Sequence, residues 1–320
     1  MSPMKLKKAC THALKDMMGI VDDETVLVLS DENMTELGLT LYESAKKLCE
    51  EAYYMEMKPR MFDGEEPPEQ VVEMMKAVDV VISPTTKSIA HTKARKKAQK
   101  LGIRIATMPS MSQDAFWRCI YADTNKIADT NKKLEHIFAA GNMVKIQTDA
   151  GTDLSFPIKT AIIDANDGVL QHIGAVGDLP GGTVSMAPDE DKASGVIIVD
   201  TTIAVMGKVQ SSFRIDVENG YGVNFTGKGG EAKVFPRFLK KGGTDGYVLA
   251  EFGIGTNPNA IWSGEMFEDE KVMGAVHLAF GNNFIHGGTS EAPLHVGCVL
   301  ANCNVFVDDN QIVAYGKLVV

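Results

Sequence analysis

Short apolar runs and longer amphipathic stretches alternate through the first 140 or so residues of the chain. Thr25 to Ser30 (TVLVLS) is an aliphatic, β-branched run between polar residues, which predicts a strand buried on both faces. Asp31 follows, placed to cap a helix over roughly Met34 to Glu51. Tyr53 to Met57 predicts a second strand. A helix starts near Pro68 and runs to about Met75, and Val78 to Ser83 (VDVVIS) predicts a third strand. A helix through Lys100 is stopped by Gly102, Ile103 to Thr107 returns to strand, and a long helix covers about Asp123 to Ala140. This alternation predicts an α/β domain with a mostly parallel sheet.

The pattern then changes. Met143 to Thr148, Thr152 to Pro157, Gly195 to Asp200, Ser212 to Val217, Tyr221 to Phe225 and Val248 to Gly253 alternate or run apolar over strand lengths. Asn219-Gly220 is a tight hairpin signal. Lys233 to Leu239 and a stretch around Glu270 to Leu278 are expected as helical insertions. Glycine marks the change: only Gly19, Gly38, Gly64 and Gly102 precede Gly141, and the rest of the 30 glycines follow from there. Helix interiors exclude glycine and turns between short strands need it. The expected organisation is an α/β domain over 1–141 and a β-rich α+β domain over 142–320.

A length of 320 residues agrees with two domains. The formal net charge of -10 argues against a nucleic-acid surface. The densest basic run, Lys93, Arg95, Lys96, Lys97 and Lys100, has the spacing of one solvated helix face. Neither a GxGxxG pattern nor a P-loop occurs. Cys10, Cys49, Cys119, Cys298 and Cys303 are scattered and odd in number, without a CxxC pair, which argues against a disulfide framework and a thiolate zinc site. A charged N-terminus and the lack of a long apolar run lead to the expectation of a cytoplasmic protein with no membrane partner.

Three of the seven histidines, His277, His286 and His295, fall within nineteen residues. They follow Glu251 in an extended segment and lie among glycines that let backbone approach a bound group closely. Imidazole and carboxylate together suit one divalent metal: zinc, iron(II), cobalt or manganese. A second constellation, Ser83 to Arg95, follows a predicted strand of the α/β domain, where ligands of open sheets collect. His91 is expected at the helix start there, where the dipole disfavours its charged form and leaves it a candidate general base. The plainer alternative is that Ser88 or Thr92 merely caps that helix and His91 is exposed. Asp189, Glu190 and Asp191, after Pro188, are expected in a solvated loop.

Leu179-Pro-Gly-Gly-Thr-Val-Ser-Met-Ala-Pro188, Glu251-Phe-Gly-Ile-Gly-Thr-Asn-Pro258, Met273-Gly-Ala-Val-His277-Leu-Ala-Phe-Gly-Asn-Asn283, and Gly287-Gly288 followed by His295 occur in that order. Together they resemble the aminopeptidase T/S family of metallopeptidases. The same fold family includes a shorter branch with the iron(II) enzyme 2,5-dihydroxypyridine 5,6-dioxygenase, which Thr86 to Arg95 also resembles. The resemblance spans about residues 20–319 and implies a β-rich metal domain and a homodimer. Carried over, Glu251, His277 and His295 match metal ligands of the peptidases, while Thr183, Phe284 and Gly297 stand where a glutamate, a tyrosine and an aspartate are expected. In the dioxygenase type, His277 and His295 would be the two histidines. Gly297 again replaces the carboxylate, Glu251 could stand in for it, and His286 could be a third imidazole. The expected function is a metal-dependent, aminopeptidase-like hydrolase acting on a small amide or peptide, with His91 and Glu251 catalytic. The alternatives are a mononuclear iron(II) ring-cleaving dioxygenase and a metal-free binding relative.

Overall fold

The computed structural model describes residues 2–158 and 161–320. It has an α/β unit with a parallel sheet and a β-rich unit with antiparallel sheets, as the pattern predicts. One unit comprises Met1–Thr124 with Asn166–Gly181, and the other Asn125–Ala165 with Gly182–Val320.

The first unit holds a five-stranded sheet in the order Glu51–Met57, Thr25–Asp31, Val80–Ser83, Arg104–Thr107, Val176–Asp178, with every pair parallel. Leu27, Leu29, Val81 and Ile105 pack with Val71 and Met75 from one helix and Ala94 and Ala98 from another, so one face of the sheet is sealed by aliphatic side chains. Asp31 does not cap the following helix, Thr35–Ala45, whose N-cap position is Met34. Instead its buried carboxylate accepts from Thr86 N (2.5 Å), Thr86 Oγ1 (2.9 Å) and Asn33 N (3.1 Å), tying the carboxyl end of its own strand to the loop after Val80–Ser83. That helix is also shorter than its pattern suggests, because Glu51 already belongs to the edge strand. The last strand of the sheet comes from residues 176–178, held by Ile105 N to Ala175 O (2.8 Å) and Leu179 N to Thr107 O (2.9 Å).

A boundary at Gly141 does not coincide with these groupings. The helix Thr124–Ala140 sides with the β-rich unit for physical reasons: Asn131 donates to the Thr183 carbonyl (3.4 Å) and accepts from Thr256 Oγ1 (2.7 Å), and Phe138 meets Phe252 edge-on at 5.8 Å.

The β-rich unit contains an antiparallel sheet in the order Tyr221–Gly227, Phe213–Glu218, Ser194–Val199, Asp153–Pro157, Met143–Gln147, Asn304–Val307, Asn310–Ala314, Lys317–Leu318. Asn219 and Gly220, with φ of 48° and 78°, form the predicted tight hairpin. Its second sheet runs Gly207–Lys208, Thr202–Ile203, His295–Leu300, Val276–Gly281, Leu249–Gly255, Thr183–Met186, Asp164–Asn166. The helix expected around Glu270 to Leu278 is absent. A single turn, Met266–Asp269, precedes a left-handed Gly274 (φ 85°), and Val276–Gly281 is a central strand. The two-residue alternation of Val276, Leu278 and Phe280 with His277, Ala279 and Gly281 decides the matter. Among the described residues no helix is long and apolar enough to cross a membrane.

Candidate metal centre

Strand register collects the chemistry. Gly253 pairs with His277, Glu251 with Ala279, Ala279 with Gly297, and Gly281 with His295. Paired residues of an antiparallel ladder share a face, and so do residues two apart. Glu251, Gly253, His277, Ala279, Gly281, His295 and Gly297 therefore lie on one face of the sheet. Phe252, Ile254, Leu278, Phe280, Val296 and Cys298 take the other face, fully or nearly fully buried, and Phe252 stacks edge-on with Phe156 of the neighbouring sheet at 5.3 Å. The apolar face anchors three central strands in the core. The opposite face carries only small residues between its titratable ones, which leaves room for rings.

His277 uses that room directly. A Cβ on Gly253 would stand 2.2 Å from His277 Nε2 and 2.9 Å from Ser185 Cβ, so the imidazole lies across the glycine. His295 Nδ1 donates to the Asn282 carbonyl at 2.9 Å, which turns Nε2 towards Glu251. His286 arrives from the short 3₁₀ turn Phe284–His286 in the loop between the strands of His277 and His295. All three Nε2 atoms surround one carboxylate: His295 lies 2.7 Å from Oε2 of Glu251, and His277 and His286 lie 3.4 and 3.6 Å from Oε1. Burial pushes the Glu251 carboxyl up, but the imidazoles of His277, His286 and His295 outweigh it and hold the group well below the usual carboxylate range.

This donor set fits a divalent cation. Both ring nitrogens of His286 and Nδ1 of His277 are buried with no hydrogen-bond partner among the described residues. Buried polar atoms left so are costly unless something binds them. His295 already carries the second hydrogen bond that orients metal-binding imidazoles. Glu251, His277, His295 and His286, the residues singled out from sequence, are thus brought together.

The positions Thr183, Phe284 and Gly297 add no carboxylate. Thr183 offers a hydroxyl at the start of its strand, Phe284 sits in the turn before His286, and the space a Cβ at Gly297 would take is filled by Met266, whose Cε stands 2.5 Å from it. His91 lies in the first unit, in the turn just ahead of the helix Lys93–Lys100. Thr92 caps that helix, accepting from Arg95 N (3.1 Å), and Glu66 accepts from Lys93 N (2.5 Å) and Ala94 N (3.1 Å) at the same end. The lysines of the helix are exposed as expected. Arg95 is buried, with Nε donating to the Ala90 carbonyl beside His91 (2.8 Å).

Sequence reasoning missed two supports of the centre. One is Gly253. The other is Glu190, which is not in a solvated loop: its carboxylate accepts from Asn283 Nδ2 (2.8 Å), Thr289 N (2.5 Å) and Thr289 Oγ1 (2.6 Å). The Asn282-Asn283 pair after Gly281 is the signal that could have pointed to it, since two amides at a strand end require partners.

Comparison with known proteins bears on what such a centre does. A family model described as "NicX: 2,5-dihydroxypyridine 5,6-dioxygenase" matches residues 5–320. The chain is 22% identical over 264 residues to a 2,5-dihydroxypyridine 5,6-dioxygenase of Pseudomonas putida, covering 77% of this chain and 72% of that protein. The solved structure of 2,5-dihydroxypyridine dioxygenase from Pseudomonas putida KT2440 superposes with a TM-score of 0.85 at 20% identity, covering 100% of this chain and 98% of that one. Wild-type AmpT from Thermus thermophilus superposes with a TM-score of 0.71 at 15% identity, covering 99% of each chain. These findings overturn the aminopeptidase-like hydrolase expected from the motifs. The family match and the sequence relative are both described as 2,5-dihydroxypyridine 5,6-dioxygenases, and the likeness to AmpT concerns the fold alone.

Proposed function

Because the chain belongs to the 2,5-dihydroxypyridine 5,6-dioxygenase family, we propose that it is an iron(II)-dependent dioxygenase that opens the ring of a hydroxylated pyridine. The observation that carries this reading is the convergence of three imidazole Nε2 atoms on the Glu251 carboxylate. Histidines with one carboxylate, leaving positions open for substrate and oxygen, are the donor set of non-haem iron(II) oxygenases. His277, His295 and Glu251 would hold the metal, with His286 as a further imidazole. When bound, iron(II) supplies the redox-active centre at which dioxygen and the substrate are brought together.

The chain's own residues do the rest. Glu251, held ionised, places one negative charge among the imidazoles and offsets part of the cation's charge. The Asn282 carbonyl keeps the His295 proton on Nδ1 and so leaves Nε2 as a donor. Phe252, Leu278 and Phe280 behind the strands keep water from the rear of the centre. His91 is the candidate base, its imidazole accepting a proton from a ring hydroxyl as the substrate binds. A dioxygenase places both atoms of dioxygen in its product, so the aromatic ring supplies the electrons and no separate reductant is consumed.

Protein loaded with iron(II) without air is expected to consume one dioxygen per 2,5-dihydroxypyridine, followed with an oxygen electrode and by loss of the ring absorbance. Iron-loaded protein that leaves both dioxygen and ring intact would remove the proposal. Replacing His91 with glutamine is expected to lower kcat by about 10²–10⁴-fold, the usual worth of a general base, with iron content unchanged. A wild-type kcat in that variant would take His91 out of the reaction. The proposal also includes a homodimer, in which sheet edges find partners. A monomer mass by light scattering at micromolar protein would exclude it.

A further inference from the structure

We propose that Glu190 is a positioning residue, whose carboxylate pinches the neck of the loop carrying His286 and so aims that imidazole at Glu251. The inference rests on His286 belonging to the proposed centre. Residues 282–294 connect the strands Val276–Gly281 and His295–Leu300. The base of this loop is fastened from within: Asn282 N donates to the Leu294 carbonyl (2.9 Å), Asn282 Nδ2 to the Ala292 carbonyl (3.2 Å) and Ser290 Oγ to the Gly281 carbonyl (2.7 Å). The tip is a three-residue 3₁₀ turn ending in His286, followed by a left-handed Gly287 (φ 83°). Its own bonds run from His286 N to the Asn283 carbonyl (3.0 Å), from Gly287 N to the Phe284 carbonyl (3.2 Å) and from Gly288 N to the Asn283 carbonyl (3.2 Å), so its placement depends on where Asn283 is held.

Glu190 grips this tip from both sides of the histidine. Oε1 accepts from Asn283 Nδ2 (2.8 Å), three residues before His286, and from Thr289 N (2.5 Å), three residues after it, while Oε2 accepts from Thr289 Oγ1 (2.6 Å). Asn283 Oδ1 completes the neck by accepting from Ser290 N (2.8 Å). Glu190 is itself anchored, since Asp189 N donates to the Pro157 carbonyl (2.8 Å) and Gly220 N to the Ala193 carbonyl (2.8 Å), tying its segment to the eight-stranded sheet. Burial pushes the Glu190 carboxyl up, but the donors from Thr289, Asn283 and Ser290 outweigh it and hold the group below the usual carboxylate range. A carboxylate presents acceptors on both oxygens. Glutamine has the same shape but turns one of them into a donor facing donors.

The test uses the full-length protein without metal, labelled with ¹⁵N at histidine, and reads the ring nitrogens by long-range ¹H–¹⁵N correlation. His286 is assigned by the loss of its signals in His286→Gln. Glu190→Gln is expected to shift or broaden the His286 signals and leave those of His136 and His172 in place. Thr289→Val, which removes only the hydroxyl donor and leaves Glu190 intact, is expected to give the same change in weaker form. An unmoved His286, or all seven rings moving together, overturns the proposal. Cobalt(II) titration adds a cycle. Glu190→Gln and His286→Gln are each expected to weaken binding about tenfold, and the double variant no further, because one residue acts through the other. Multiplicative losses would overturn the proposal. If the wild type takes up no cobalt(II) while its His286 signals still answer to Glu190→Gln, the metal reading falls and the positioning role stands.

Discussion

The Glu251→Gln protein is expected to bind iron(II) at least about 100-fold more weakly than the wild type and to show almost no oxygen uptake, while remaining folded. Glutamine keeps the size and one acceptor oxygen but removes the charge. Substitutions one shell further out typically cost 10–100-fold in affinity, and loss of a direct carboxylate donor costs no less. Anaerobic iron titration and calorimetry check this, and an affinity within a few-fold of wild type would show that Glu251 is not a ligand. The metal-free variant carries a second signature. The Glu251 pKa is depressed from its ordinary value of 4.5, so its contribution to stability is complete above that value and is lost as the pH falls through the lower, folded-state value. The stability gap between wild type and Glu251→Gln in urea is therefore expected to be widest near neutrality and to narrow below about pH 4.5.

Gly253→Ala is the second large effect, from a change of one methyl group. The new Cβ would meet His277 Nε2 at 2.2 Å and Cε1 at 2.3 Å, with Ser185 Cβ at 2.9 Å on its other side. The ring is the end of a side chain and can swing aside, whereas the strand between Thr183–Met186 and Val276–Gly281 is held by ladders on both edges. The displacement therefore falls on the ligand rather than on the sheet. Metal affinity is expected to drop by about 10–100-fold, with the melting temperature of metal-free protein changed by only a few degrees. A metal-free protein that melts far lower, at unchanged metal affinity, would place the cost in the fold instead.

The sequence carried the identity of the centre better than its construction. Glu251, His277, His286 and His295 were recognisable from residue type and glycine-rich surroundings, and strand register unites them. Register itself was hidden where it mattered most, because the polar stretch around Glu270 resembled a helix and masked the alternation that makes Val276–Gly281 a strand. Gly253 was one glycine among many, and only its closeness to the His277 ring distinguishes it. Glu190 looked solvated because three neighbouring acids after a proline usually are, and its donors lie about a hundred residues away in the chain. The reaction class was misjudged for a related reason: the motifs encode the strands and turns of a fold that peptidases and dioxygenases share. In the α/β half every parallel strand but one was legible. The exception, Val176–Asp178, is three residues long and is defined by its pairing rather than by its composition.

That short strand has a consequence for how the protein is made. Its partner, Arg104–Thr107, waits for an edge that emerges from the ribosome some seventy residues later, after the helix Thr124–Ala140 and the strands Met143–Gln147, Asp153–Pro157 and Asp164–Asn166. Until then the nascent α/β sheet ends on Ile105 and Ala106, aliphatic and fully buried in the finished protein, with the amide of Ile105 and the carbonyl of Thr107 unpaired on an open ladder. Such an edge is a template for pairing with other chains. Synthesis that stalls or is cut short between residues 125 and 175 therefore releases a fragment prone to aggregation, because the first unit is complete only once Gly181 has been made, after a segment of the second.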